Sequence, residues 1–142
     1  MLSIFIILFA ASAFAQLSYA PLAELFEKER PLTQGDVNLF VANARIFAEA
    51  GRETNPEDVM NSLGRSGLEA QRSLYVWTKI VINFRLYHGR EYYGQNITER
   101  DIEYVQSNLP ATMRVNSAEI ELLRKNKAEI KAVYDYLDRE LK

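Results

Sequence analysis

The sequence predicts an all-α fold, an irregular compact bundle of about five or six helices around one long central helix. Three observations carry that prediction. Apolar residues recur at steps of three and four, with no convincing strand alternation. Helix starts (Thr33, Asn55-Pro56, Thr98, Asn116) and stops (Gly51, Gly64, Gly89, Pro110) punctuate the chain. The stretch 74–87, LYVWTKIVINFRLY, is apolar on nearly every side of a helical wheel, so other elements must surround it.

The first fifteen residues stand apart. MLSIFIILFAASAFA has no charge, and only Ser3 and Ser12 are polar. Its apolar run, Ile4 to Ala11, is short of the roughly 20 residues a spanning helix needs. It ends Ala13-Phe14-Ala15, the small-x-small pattern read by signal peptidase. The expectation is a signal peptide over 1–15, cleaved to leave Gln16 first, and a single helical domain over 16–142. An uncleaved anchor and a buried N-terminal helix are the alternatives. After processing no stable membrane span is expected.

A short helix is expected between Pro21 and Pro31, with Leu22, Leu25 and Phe26 inward. Thr33 caps the next helix, and Asp36 places a negative charge at its positive end. Val37, Phe40, Val41, Ala44, Phe47 and Ala48 form its inner face as far as Gly51. Asn55-Pro56-Glu57-Asp58 opens a helix with Val59, Met60 and Leu63 inward. Ser66-Gly-Leu-Glu69 reads as a capping box that opens the long helix through about His88, with Gly89 ending it. A loop follows over 89–97. Thr98 and Asp101 start a short helix with Ile102, Val105 and Leu109 inward, and Pro110 ends it. Asn116 or Ser117, with Glu119, caps a last helix whose stripe is Ile120, Leu123, Ile130, Tyr134, Leu137 and Leu141, interrupted by Lys127.

Composition excludes several chemistries. The chain has no cysteine, so thiolate catalysis, cysteine-held zinc, iron–sulfur clusters and disulfides are excluded. A single histidine, His88, excludes multi-histidine metal sites. Seventeen Lys and Arg against 19 Asp and Glu give a net charge of −2, with no general attraction to nucleic acid. Basic residues 114–127 are diluted by acids, so no nucleic-acid partner is expected. No cofactor or metal is expected either. A chain without cysteines behind an export signal leans toward the bacterial envelope, periplasmic or secreted.

One cluster stands out as a binding candidate: Arg85, Tyr87, His88, Arg90, Glu91, Tyr92 and Tyr93. Tyrosine and arginine are the residue types that anchor interfaces. The structural alternative has His88 and the arginines meeting the negative end of a helix dipole, with the tyrosine rings folded over the bundle end. Lys79 and Asn83 lie on one face of the central helix, and that face is expected to touch solvent or to let Lys79 snorkel. Asn96-Ile97-Thr98 is a glycosylation sequon. No catalytic constellation is legible. The function expected is therefore an exported helical binding or interaction protein of the bacterial envelope, with another envelope or secreted protein, or a small ligand, as partner. The alternatives are a small periplasmic hydrolase assembled around His88 and a structural subunit of an envelope assembly.

Overall fold

The computed structural model describes residues 24–142; the expected signal segment, the expected cleavage point and Leu22 lie outside the described residues. Among the described residues the chain is all-helical. It forms α1 (Gln34–Ala42), α2 (Ala44–Gly51), α3 (Pro56–Leu63), α4 (Ala70–Tyr93), α5 (Glu99–Asn108), a 3-10 turn (Ala111–Met113), α6 (Ser117–Lys125) and α7 (Lys127–Glu140). α4 is the axis of the bundle, with every residue from Arg72 to Phe84 buried. α1, α3 and α7 pack on it, and α2 bridges α3 and α7. The aromatic core runs inward from Phe40 to Phe47 (ring centroids 5.2 Å apart) and from Phe47 to Trp77 (5.4 Å). Burying a side chain of this size stabilises the fold by about 1.5–3 kcal/mol. No helix among the described residues is long and apolar enough to cross a membrane.

Four helix starts form as their sequences require. Thr33, Asn55, Thr98 and Asn116 each accept a hydrogen bond from the backbone N–H three residues on. At Thr33, Thr98 and Asn116 the acid three residues on returns a bond to the cap N–H, completing a capping box. Of the helix expected between Pro21 and Pro31, the described part is helical at Glu24 and Leu25 and then turns, with Phe26 fully buried.

Two expected long helices are each broken by an asparagine. At Asn43 (φ −113°, ψ 25°) the side-chain amide donates to Leu39 O at 2.7 Å and to Ser66 O at 2.9 Å. At Asn126 (φ −104°, ψ 16°) it donates to Leu122 O at 2.8 Å and exchanges a reciprocal amide bond with Gln34 at 2.9 Å. In both, the asparagine captures the carbonyl four residues back and offers the helix an end it would otherwise lack. The second break turns Lys127 out of the stripe toward Glu91, 2.8 Å away.

The long helix differs from expectation at both ends. The Ser66–Glu69 capping box does not form. Gly67 has φ +90°, which no helical residue adopts, so α4 begins at Ala70 with Glu69 as a cap that makes no side-chain bond. Ser66 instead bonds Ser73 at 2.5 Å. At the other end Gly89 is inside the helix. A Cβ there would lie 2.6 Å from the Gln95 amide oxygen and 3.2 Å from Ile97, so the glycine permits the returning chain to cross closely. The stop is Gly94, in the left-handed conformation at φ +62°.

Candidate functional site

The deepest polar structure lies on the first half of α4. Arg72, Tyr75, Lys79 and Asn83 follow one another at steps of three and four, so they share a face of the helix. All four are at least 95% buried. Instead of touching solvent, as sequence alone suggested for Lys79 and Asn83, this face meets irregular chain. Arg72 donates to Arg30 O at 2.6 Å and Pro31 O at 3.0 Å, and pairs with the Asp36 carboxylate at 2.5 Å. Burial works to raise the Asp36 pKa, but Arg72 and the Thr33 bonds outweigh it and hold the carboxyl below its ordinary 3.8.

Lys79 is held the same way. Its ammonium lies 2.7 Å from Glu119 Oε2 and donates to the Tyr75 hydroxyl at 2.8 Å. Burial lowers the Lys79 pKa; the Glu119 carboxylate opposes that shift. Burial, and then the charge of Glu119, push the Tyr75 hydroxyl well above its ordinary range, so it stays protonated. Glu119 is the third residue of α6 and closes that helix's capping box through Oε1, which accepts from Asn116 N at 3.1 Å. Its Oε2 also accepts from Leu32 N at 2.8 Å. One carboxylate therefore caps a helix, pairs a buried lysine and fixes the chain just after Pro31. Asn83 completes the row: its amide donates to Met113 O at 3.1 Å and accepts from Gln106 at 2.7 Å.

Above this floor opens a cleft of about 430 Å³, walled by Glu29 and Pro31 on one stretch and by Thr112, Arg114 and Asn116 on the other, with Tyr75, Lys79 and Glu119 beneath. A second open cleft, of about 330 Å³, lies across the same 114–115 backbone, between Tyr87 and α5. The first is within the size range of small-molecule sites and has convergent polar groups at its base.

The sequence-predicted cluster does not converge on one point. Because α4 runs on to Tyr93, its residues are spread around the last helical turns. Arg85 donates to Gln95 Oε1 at 2.9 Å and to the Tyr134 hydroxyl at 2.5 Å, and lies 5.2 Å from the Tyr93 ring centre. The Tyr93 hydroxyl donates to Asp135 at 2.6 Å; burial and that carboxylate both raise its pKa. Tyr92 stacks on Phe84 at 6.0 Å. Tyr87 belongs instead to the second cleft, and Arg90 is exposed.

His88 is only 8% exposed, and its Nε2 is buried without a hydrogen-bond partner among the described residues. Its Nδ1 lies 3.8 Å from Glu91, which also receives Lys127. Burial, with Lys127 and Arg124 nearby, lowers the His88 pKa below the ordinary 6.5 despite Glu91. His88 lines neither cleft. No cluster of three or more metal-ligating side chains occurs among the described residues.

Sequence reasoning missed Glu29, Tyr75, Thr112, Arg114 and Glu119 as parts of one site. The capping box at Asn116 was visible, but not that Glu119 had a second oxygen to give. A signal was present: charged and amide residues at 72, 79 and 83 on a helix otherwise apolar all round require buried partners. The fold and its cleft define a helical protein with a polar-floored pocket. Comparison with known proteins finds no matching family model, no matching curated protein and no matching solved structure.

Proposed function

We propose that this chain is an exported helical binding protein of the bacterial envelope, periplasmic or secreted, which holds a small polar ligand in the cleft above Lys79. The observation that carries the reading is the cleft floor: Lys79, Tyr75 and Glu119 are each at least 97% buried yet border open space. A buried ion pair is costly to desolvate and by itself adds little stability. Placed under a cleft it presents fixed polar groups to a ligand at no further ordering cost. Binding is favoured over catalysis because the Lys79 nitrogen is already committed to Glu119 and Tyr75, which hold it in the floor of the cleft. The export pattern of residues 1–15 supports the envelope assignment.

The test is a titration of the isotope-labelled chain, followed by amide NMR, with pooled amino acids, monosaccharides, nucleosides and short peptides. Shifts centred on Tyr75, Thr112 and Asn116 are expected. Shifts confined to 85–93 would move the binding surface to the end of α4 and sink the cleft. Crosslinking at Tyr92 and Tyr93 in native envelope then tests for a protein partner there.

A further inference from the structure

We infer that the cleft ligand is a small zwitterion carrying one carboxylate and one ammonium, of amino-acid size. The inference rests on the cleft being the binding site, and it follows from counting charges and hydrogen-bond capacity around it.

The cleft-lining side chains carry two cations, Lys79 and Arg114, and two anions, Glu29 and Glu119. Behind them Arg72 and Asp36 cancel as a pair. The site thus has no net charge to attract a polyanion or a polycation, and it holds both signs locally.

The donors are in excess at the base. An ammonium has three hydrogens, and Lys79 uses two, on Glu119 and Tyr75. Tyr75 accepts from Lys79, so its own O–H cannot return to that nitrogen and has no acceptor among the described residues. The buried Thr112 hydroxyl oxygen has no partner among the described residues. Arg114 is anchored through Nε to Leu109 O at 2.9 Å and through Nη2 to Ser107 O at 3.1 Å, leaving Nη1 uncommitted. Glu119 already accepts from Leu32, Asn116 and Lys79, three of the about four bonds a carboxylate can take, with both sites of Oε2 filled. A ligand carboxylate, which only accepts, matches Lys79, Tyr75 and Thr112.

The acceptor is Glu29. Its nearest cation, Arg72, is 3.7 Å away, beyond hydrogen-bonding distance, so its lone pairs can receive an ammonium. Pro31, Ala111 and Val115 add apolar wall for an aliphatic side chain. A phosphate dianion would meet Glu29 and Glu119 without enough positive charge to balance them, and a simple amine would leave the donors at the base unused.

The experiment is calorimetric titration of the full chain with each common L-amino acid. The tightest is then compared with its decarboxylated amine and its deaminated acid. The amino acid is expected to bind at least tenfold tighter than either. Thr112→Val removes a hydroxyl that the unliganded fold does not use. It should leave the melting temperature unchanged or higher while weakening the amino acid by about three- to tenfold, the effect of one hydrogen bond. Glu29→Gln should weaken the amino acid and spare the deaminated acid. Equal affinity for the amino acid and its deaminated acid, or an unaltered affinity in Thr112→Val, would overturn the inference. If monosaccharides or nucleosides shift the cleft resonances and no amino acid does, the ligand class is wrong and the binding reading stands. If nothing engages the cleft, both fall.

Discussion

The two halves of α4 handle polar side chains in opposite ways. In the first half, Arg72, Lys79 and Asn83 are buried and bond side chains of α1, α6 and α5 (Asp36, Glu119, Gln106) together with backbone groups outside the α-helices: Arg30 O, Pro31 O and Met113 O directly, and Leu32 N through Glu119. In the second half, Arg85, Glu91 and Tyr93 bond side chains only, those of α7 (Tyr134, Lys127, Asp135) and of Gln95, and stay at least partly exposed. The difference follows from what packs on each half. A helix satisfies its own backbone, so it can dock through apolar contact alone. Irregular chain carries free N–H and C=O groups, and burying it requires partners. The fully buried polar residues of the first half of α4 therefore reach the backbone of the chain that crosses there, and the crossing leaves the cleft.

The largest test of this contrast is a pair of equivalent substitutions. Arg72→Met leaves the buried Asp36 carboxylate and two carbonyls without their partner, and should destabilise the fold by about 3–5 kcal/mol. Arg85→Met removes an arginine of similar bonding whose partners, the Gln95 amide and the Tyr134 hydroxyl, are neutral, and should cost about 1 kcal/mol. Urea midpoints of the two variants measure both. Equal losses would erase the distinction.

That contrast also sets how much was legible in the sequence. The helices, their caps and the all-α class follow from local signals, because a cap lies three residues from its partner. The breaks at Asn43 and Asn126 were not read, although each rests on a bond to the carbonyl four residues back. An asparagine inside an apolar stripe is the signal to use. The cleft was illegible for another reason. Its parts come from 29–31, 75–79 and 111–119, and nothing in those segments taken singly points to the others. Lys79 and Asn83 seemed solvent-facing because sequence periodicity shows the face of a helix and not what lies on it. Arg90, Glu91, Tyr92 and Tyr93 were placed in a loop because Gly89 read as a stop, whereas its lack of a side chain serves the crossing of Gln95.

A smaller effect separates the halves by pH. His88, in the second half, is buried with its pKa lowered by burial first, with Lys127 and Arg124 opposing protonation and Glu91 favouring it. The unfolded chain therefore binds a proton at a higher pH than the folded chain. His88 stabilises the fold fully above its ordinary 6.5, and that contribution is lost as pH falls toward the folded pKa. Thermal unfolding between pH 8 and 5 should show a decline, and His88→Phe should flatten it. The Asp36 contribution, by contrast, is present above its ordinary 3.8 and is lost only below it. A decline that persists unchanged in His88→Phe would place the titrating group elsewhere.

The smallest effect concerns how the second half ends. α4 starts without a side-chain cap and stops at Gly94, whose φ of +62° is strained for any residue with a Cβ. A Cβ built there meets nothing within 4 Å, so space is not at issue and only the backbone conformation is. Gly94→Ala should cost about 1 kcal/mol, and Gly94→Asn less, because asparagine tolerates the left-handed region. Gly89→Ala is the control from the same helix. There the helix gains about 1 kcal/mol of propensity while the new methyl displaces the Gln95 amide from Arg85. The two glycines, five residues apart, thus separate a conformational requirement from a packing one. A Gly94→Ala variant as stable as the parent would mean that α4 can end without a left-handed residue, its last turns held by the bonds of Arg85, Glu91 and Tyr93 to α7.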